Sequence, residues 1–132
     1  MAKVGIVGAS GYTSSELLGL LVNHPGGLEI EMVTSGTYSG QNVDRVMPNL
    51  RGLIGLKFEE FEIETIKGRV DVVVLAVPHK VAMSYVPHIL DQGIRVIDFS
   101  ADYRLNDAET YENWYHCKHT NPGWLSHAVY GL

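Results

Sequence analysis

A chain of 132 residues with 45% hydrophobic and 19% charged residues has the size and composition of one soluble globular domain with a single good core. Its formal net charge of −5, with no compensating run of Lys and Arg, argues against a nucleic-acid partner. A single cysteine makes no internal disulfide and fits the cytoplasm, no signal peptide opens the chain, and the longest apolar stretch, near residues 70–77, is too short to cross a bilayer.

In chain order, residues 4–7 form a short apolar run suited to a strand buried on both faces. A turn with glycines at Gly8 and Gly11 follows. Thr13 and Glu16 have the spacing of a capping box, and Leu17, Leu18, Leu20 and Leu21 supply the apolar stripe of a helix. His24-Pro25-Gly26-Gly27 ends that helix. Alternation of Leu28, Ile30 and Met32 with Glu29 and Glu31 predicts a second strand, nearer an edge. Residues 35–69 carry weaker signals, with a strand or short helix expected within 58–66. The strongest strand signal is 71–77, stopped by Pro78. Residues 80–92 read as a helix that Gly93 ends and Pro87 kinks or divides. Residues 94–99 read as another buried strand. Strands separated by helices pair in parallel through right-handed crossovers, so the expected fold is α/β: a Rossmann-like, doubly wound, mainly parallel sheet with helices on both faces.

The segment GIVGASGYTSSELL at residues 5–18 then acquires a chemical reading. Between a strand and a helix, the N–H groups of the first helical turn converge on one point. The helix dipole adds partial positive charge there, which suits a phosphate. Gly8 and Gly11 allow a tight turn and a close ligand approach. Ser10, Tyr12 and Thr13 can add side-chain contacts, and Ser14 replaces the third glycine of such loops. Because G-x-x-G-x-x-S departs from the G-x-G-x-x-G spacing, a strand–helix turn without a ligand is the alternative. An NAD site usually carries an acid at the end of the second strand, but Val33-Thr34-Ser35-Gly36-Thr37 has none. The hydroxyls of Ser35 and Thr37, beside the open Gly36, suit a 2′-phosphate and favour NADP over NAD. Arg45 and Arg51 are candidate guanidinium partners for it. Pro78 and His79 follow the strongest strand at its carboxyl end, where ligands of open α/β sheets collect.

Taken together, these segments resemble the N-acetyl-gamma-glutamyl-phosphate reductases. GASGYTSSELL is similar to that family's G-A-S-G-Y-T-G-x-E-L loop, Met47-Pro48-Asn49-Leu50-Arg51-Gly52 to its H-P-x-L-R-G, and Leu75-Ala76-Val77-Pro78-His79 to its L-A-L-P-H. Residues 96–105, VIDFSADYRL, resemble V-I-D-L-S-A-D-F-R-L. Tyr111-Glu112-Asn113-Trp114-Tyr115 and the closing Ala128-Val129-Tyr130-Gly131-Leu132 match further family segments. The resemblance implies an NADP-dependent reductase of arginine biosynthesis acting on a small-molecule acyl phosphate. In such enzymes a cysteine thiolate displaces phosphate and the resulting thioester is reduced to an aldehyde. It also implies that Pro78 and His79 flank the nicotinamide side of the cofactor.

The family's nucleophile lies in a G-N-P-G-C-Y segment beyond its V-Y-G-L motif. Residues 1–132 are therefore expected to be an NAD(P)-binding domain that stops before the substrate domain. No catalytic residue is expected within them and no activity from them alone; the complete enzyme is expected to form a homo-oligomer. Cys117 reads as a structural thiol. His116, Cys117 and His119 lie too close in sequence to close a tetrahedral metal site, so no metal is expected. Asp102 and Arg104 read as a carboxylate–guanidinium pair that holds a loop or touches substrate. Two positions depart from the family: Lys80 stands where relatives often have glycine, and Gly36 where many carry an arginine. The alternatives are a non-catalytic or redox-sensing NADP module and the related aminoadipyl-phosphate or aspartate-semialdehyde reductases.

Overall fold

The computed structural model describes residues 1–131, so Leu132, the last residue of the closing motif, lies outside the described part. Four strands form one sheet: β1 (Lys3–Val7), β2 (Glu29–Val33), β3 (Val72–Leu75) and β4 (Arg95–Asp98). Their order is β2-β1-β3-β4 and every pairing is parallel. The chain therefore winds outward from β1 in one direction to β2, then returns past β1 to β3 and β4. The switch of direction lies between the carboxyl ends of β1 and β3, which is where such sheets open a ligand crevice.

Helix α1 (Tyr12–Val22) covers one face of the sheet and α3 (Ala82–Asp91) the other, as the expected fold requires. Val4, Ile6, Val33 and Val74 point to the α1 side, where Leu18 is fully buried among them together with Val43, Leu50 and Phe58. Burying a leucine of this kind stabilises by about 1.5–3 kcal/mol. Val7, Met32, Val73 and Leu75 point to the α3 side and pack with Met83, Val86, Ile89 and Tyr111. The strand signals at 4–7 and 71–77 are thus explained by burial on both faces.

Several expectations need correction. The capping box is not made: α1 begins at Tyr12 with Gly11 as its N-cap residue and no side-chain cap, so Thr13 sits inside the first turn. Leu20 does not join the apolar stripe; it is 70% exposed, while Leu17 and Leu21 flank the buried Leu18. Pro87 does not divide α3, which runs unbroken from Ala82 to Asp91. The strand at β4 is shorter than expected and is not buried on both faces. It is the last strand of the sheet among the described residues, and nothing there covers its α1-side face, so Ile97 and Phe99 are 50% and 41% exposed.

The segment that carried weak signals holds a short helix α2 (Val43–Val46) and 3-10 turns at Pro48–Leu50 and Ile63–Thr65. Within residues 58–66 the expected element is that last turn, while Glu59 forms a parallel bridge to Thr34 beside the end of β2. Arg69 clamps this segment by pairing with Glu59 (2.9 Å) and Glu31 (3.7 Å). Helix α4 (Ala108–Tyr115) follows β4 and is capped by Asp107, whose side chain accepts the Thr110 N–H at 3.0 Å. Among the described residues no helix is long and apolar enough to cross a membrane.

Candidate functional site

The glycine loop leaves β1 at Val7 and is pinned on both flanks before α1 begins. On one side the Ala9 N–H donates to the Thr34 carbonyl (2.7 Å) and the Gly8 N–H to Thr34 Oγ1 (3.3 Å). On the other side Gly8 lies directly against β3. A Cβ on Gly8 would stand 2.5 Å from the Ala76 carbonyl oxygen, and its φ of +79° is left-handed. Gly8 is therefore required by the approach of two chain segments. Ser14, fully buried, donates its Oγ–H to the Gly8 carbonyl (3.1 Å) and ties the first turn of α1 to the loop. That bond is what a serine supplies in place of the third glycine.

Gly11 is a different case. Its φ is −85°, which any residue adopts, and a Cβ built there would meet nothing within 4 Å. Its missing side chain keeps open the space above the helix start. The N–H groups of Ser10, Gly11, Tyr12, Thr13 and Ser14 have no partner among the described residues; the first bond of the helix runs from the Ser15 N–H to the Gly11 carbonyl (3.0 Å). A run of unpaired donors at a helix N-terminus is a site for an anion. Ser10, Tyr12 and Thr13 are exposed around it, Tyr12 to 95%. The Ser15 hydroxyl reaches Asn49 Oδ1 (3.4 Å), which joins the Met47–Arg51 segment to the same end of α1.

Beyond β2 the chain turns at residues 35–38. Ser35 is buried and its Oγ accepts the Tyr38 N–H (3.1 Å), so this hydroxyl builds the turn. Thr37 and Gly36 are exposed, Gly36 borders open space, and neither N–H has a partner among the described residues. The carboxylate of the adjoining Glu59 is held by two Arg69 nitrogens at 2.9 and 3.4 Å. Arg45 does not join this turn's own bonds; it lines a polar hollow of about 270 Å³ with Gln41, Asn42 and Lys57. Arg51 is exposed.

Pro78 and His79 are exposed at the carboxyl end of β3, two and three residues past the Ala76 carbonyl that Gly8 touches. The structure thus brings the three sequence-marked segments, 8–14, 34–37 and 76–79, to the carboxyl edge of neighbouring strands β2, β1 and β3. The His79 ring stands 5.7 Å from that of Tyr115 on α4. A hollow of about 520 Å³ lies elsewhere, among Ser39, Lys57, Glu60 and Arg69. A dinucleotide shelf made of backbone N–H groups at a sheet edge is open by nature, so the two need not coincide.

Thr34 is the residue that sequence reasoning missed. The sequence marks it only as part of the acid-free segment 33–37, yet it is buried and holds both Gly8 and Ala9. Its signal is a threonine one position past a buried strand. Asp102 and Arg104 do not pair: Asp102 is wholly buried and accepts backbone N–H groups, while Arg104 is exposed. Cys117 is partly buried with Sγ 3.5 Å from the Tyr111 hydroxyl. Both ring nitrogens of His119 are engaged: Nε2 with the Asp102 carbonyl (2.6 Å) and Nδ1 accepting the Asn121 N–H (3.0 Å).

Residues 3–132 match the family described as semialdehyde dehydrogenase, NAD binding domain. The chain is 52% identical over 132 residues to an N-acetyl-gamma-glutamyl-phosphate reductase of Desulfotalea psychrophila, all of this chain against 38% of that protein. It is 48% identical over 130 residues to a [LysW]-L-2-aminoadipate/[LysW]-L-glutamate phosphate reductase of Saccharolobus solfataricus, covering 98% of this chain and 37% of that one. It thus spans well under half the length of these relatives. Among solved structures, aspartate semialdehyde dehydrogenase with NADP from Candida albicans superposes with a TM-score of 0.66 at 21% identity, over 82% of this chain and 32% of that chain, which establishes a shared fold.

Proposed function

Because the chain belongs to the semialdehyde dehydrogenase NAD-binding domain family, we propose that it is the NADP-binding portion of an N-acetyl-gamma-glutamyl-phosphate reductase. The observation that carries the reading is the run of unpaired N–H groups from Ser10 to Ser14 above an open Gly11. These groups would hold the pyrophosphate. The exposed N–H groups of Gly36 and Thr37 and the Thr37 hydroxyl would meet a 2′-phosphate, with no free carboxylate in that turn to repel it. Ser35 would act by shaping this turn through its bond to the Tyr38 N–H. Pro78 and His79 would flank the nicotinamide side.

The parent reaction is reduction of an acyl phosphate to a semialdehyde with release of phosphate, as in arginine biosynthesis. When bound, the dinucleotide supplies hydride for that step. The residues described here bind and orient; nothing in them offers an activated nucleophile, since the one thiol, Cys117, faces the Tyr111 hydroxyl within the α4 packing. Nucleophile and substrate pocket would belong to a further domain of a longer protein. The uncovered Ile97 on β4 and Phe99 just after it support a further packing partner of that kind. The acetylglutamyl substrate rests on the motif resemblance; the reductases named for [LysW]-L-2-aminoadipate and [LysW]-L-glutamate phosphate, similar to this chain at 46–48% identity, are the second reading.

Calorimetric titration of the chain with NADPH, NADH and 2′-phospho-AMP tests the proposal. It expects NADPH to bind more tightly than NADH, and 2′-phospho-AMP to compete with it. Equal affinity for the two dinucleotides would overturn the preference argued from residues 35–37, and binding of neither would overturn the cofactor reading itself. An assay of the chain with acyl phosphate and NADPH is expected to show no aldehyde; turnover would contradict the two-part division of labour.

A further inference from the structure

Two helix N-termini reach the carboxyl edge of the sheet, and they are finished in opposite ways. At α1 the first-turn donors are unpaired. At α3 most of the N–H groups around the helix start are paired within the chain, two of them by one side chain. Asp102, wholly buried, accepts the Lys80 N–H on Oδ1 (2.8 Å) and the Met83 N–H on Oδ2 (2.9 Å). The Tyr111 hydroxyl donates to the same Oδ1 at 2.6 Å, and Nε2 of His119 holds the Asp102 carbonyl at 2.6 Å. Tyr111 and His119 are themselves buried, so the carboxylate is fixed by groups that have no freedom to move.

What this carboxylate holds is a turn in an uncommon state. Lys80 has φ +77°, a left-handed conformation that a residue with a Cβ adopts only when its surroundings impose it. The Lys80 N–H bond to Asp102 is one such imposition, and the Val81 N–H bond to the Pro78 carbonyl (3.3 Å) closes the turn from the other side. Between the Ala76 carbonyl, packed on Gly8, and this locked turn stand Pro78 and His79, exposed toward the crevice edge. Their backbone is therefore anchored at both ends, by the glycine loop and by Asp102.

We propose that Asp102 is a positioning residue for the nicotinamide half of the cofactor site: its buried carboxylate locks the Lys80 turn and so sets how Pro78 and His79 meet the ligand. The assignment rests on the reading of residues 78–79 as the nicotinamide flank. The same carboxylate occupies the N-terminus of α3 with an anion built into the chain. An external phosphate is thereby directed to α1, whose donors are free.

The test compares a whole and a half cofactor on the chain carrying Asp102→Asn, which keeps the shape but presents an amide to one of the two N–H groups. NADPH affinity is expected to fall about tenfold, while 2′-phospho-AMP affinity, which reads the adenine side, stays unchanged. The amide resonances of Lys80 and Met83 are expected to move upfield in the same variant. A loss shared equally by both ligands would make Asp102 a general structural residue and overturn the proposal, as would no loss for either. Tyr111→Phe, which removes one donor and leaves the two backbone bonds, is expected to show the same split more weakly. It carries the test should Asp102→Asn not fold, and an unsplit effect there overturns the proposal equally. If the unaltered chain binds NADPH no better than 2′-phospho-AMP, the positioning role falls while the phosphate cradle stands. If it binds neither, both fall.

Discussion

Gly8 and Gly11, three residues apart in one loop, answer to different demands. Gly8 is held at a left-handed φ with the Ala76 carbonyl where its Cβ would be. Gly8→Ala is expected to lose stability on two counts, about 1–2 kcal/mol of left-handed strain and about 1–3 kcal/mol of overpacking, seen as a large fall in the denaturation midpoint. Gly11→Ala meets no atom and keeps its backbone conformation, so its unfolding free energy should change by less than about 1 kcal/mol. A methyl group there would instead intrude on the pyrophosphate space, and NADPH affinity should fall about tenfold or more. Urea denaturation and calorimetry on the two variants check the division. A Gly11→Ala chain that binds like the original would remove the open space from the account. The distinction between these glycines was invisible in the sequence, because it depends on which strand lies behind the loop.

At the scale of elements, legibility followed local signal. The β1 and β3 strands were readable as short apolar runs, since burial on both faces leaves that trace. The start of α1 was misread because Thr13 and Glu16 have capping-box spacing, yet Gly11 takes the cap position and leaves the donors unspent. β4 was misread for want of the third dimension: Val96 and Ile97 are equally apolar, but only the first faces a helix. The segment from β4 to α4 carries a titratable test. Burial pushes the Asp98 carboxyl above its ordinary value of 3.8, against the lowering effect of its bonds from the Ser100 N–H (2.8 Å) and hydroxyl (2.9 Å). The folded state therefore binds this proton more tightly than the unfolded one. Its contribution to stability is greatest below pH 3.8 and is lost as pH rises through the folded-state value. Asp98→Asn removes that dependence. Relative to the original chain it should melt higher near pH 7 than near pH 4, and a difference in melting temperature constant with pH would contradict the burial argument.

For the molecule as a whole, the sheet is covered unevenly. The α3 side is closed by α3, α4 and the residues that follow, whereas the α1 side is closed only as far as β3. Ile97 and Phe99 project from the edge strand into the gap, and an apolar face beside an open strand edge is prone to association. The chain by itself is expected to self-associate with rising concentration, and Ile97→Lys with Phe99→Ser to return it to a monomer without lowering its melting temperature. Sedimentation velocity over a concentration series decides this, and a chain already monomeric throughout would show that the face needs no partner. The same unevenness puts the ligand crevice at the one place the described residues finish well: the carboxyl ends of β1 and β3, between the Thr34 contacts and the Asp102-locked turn. The central claim is that the unpaired amides of α1 are the anion seat. A titration of the isotopically labelled chain with NADPH, followed amide by amide in nitrogen–proton correlation spectra, tests it most directly. The account predicts that the resonances of Ser10, Gly11, Tyr12, Thr13 and Ser14 move first and furthest, with Gly36 and Thr37 moving alongside them. Shifts concentrated instead around the hollow of Ser39, Lys57 and Arg69, with residues 10–14 unmoved, would contradict it.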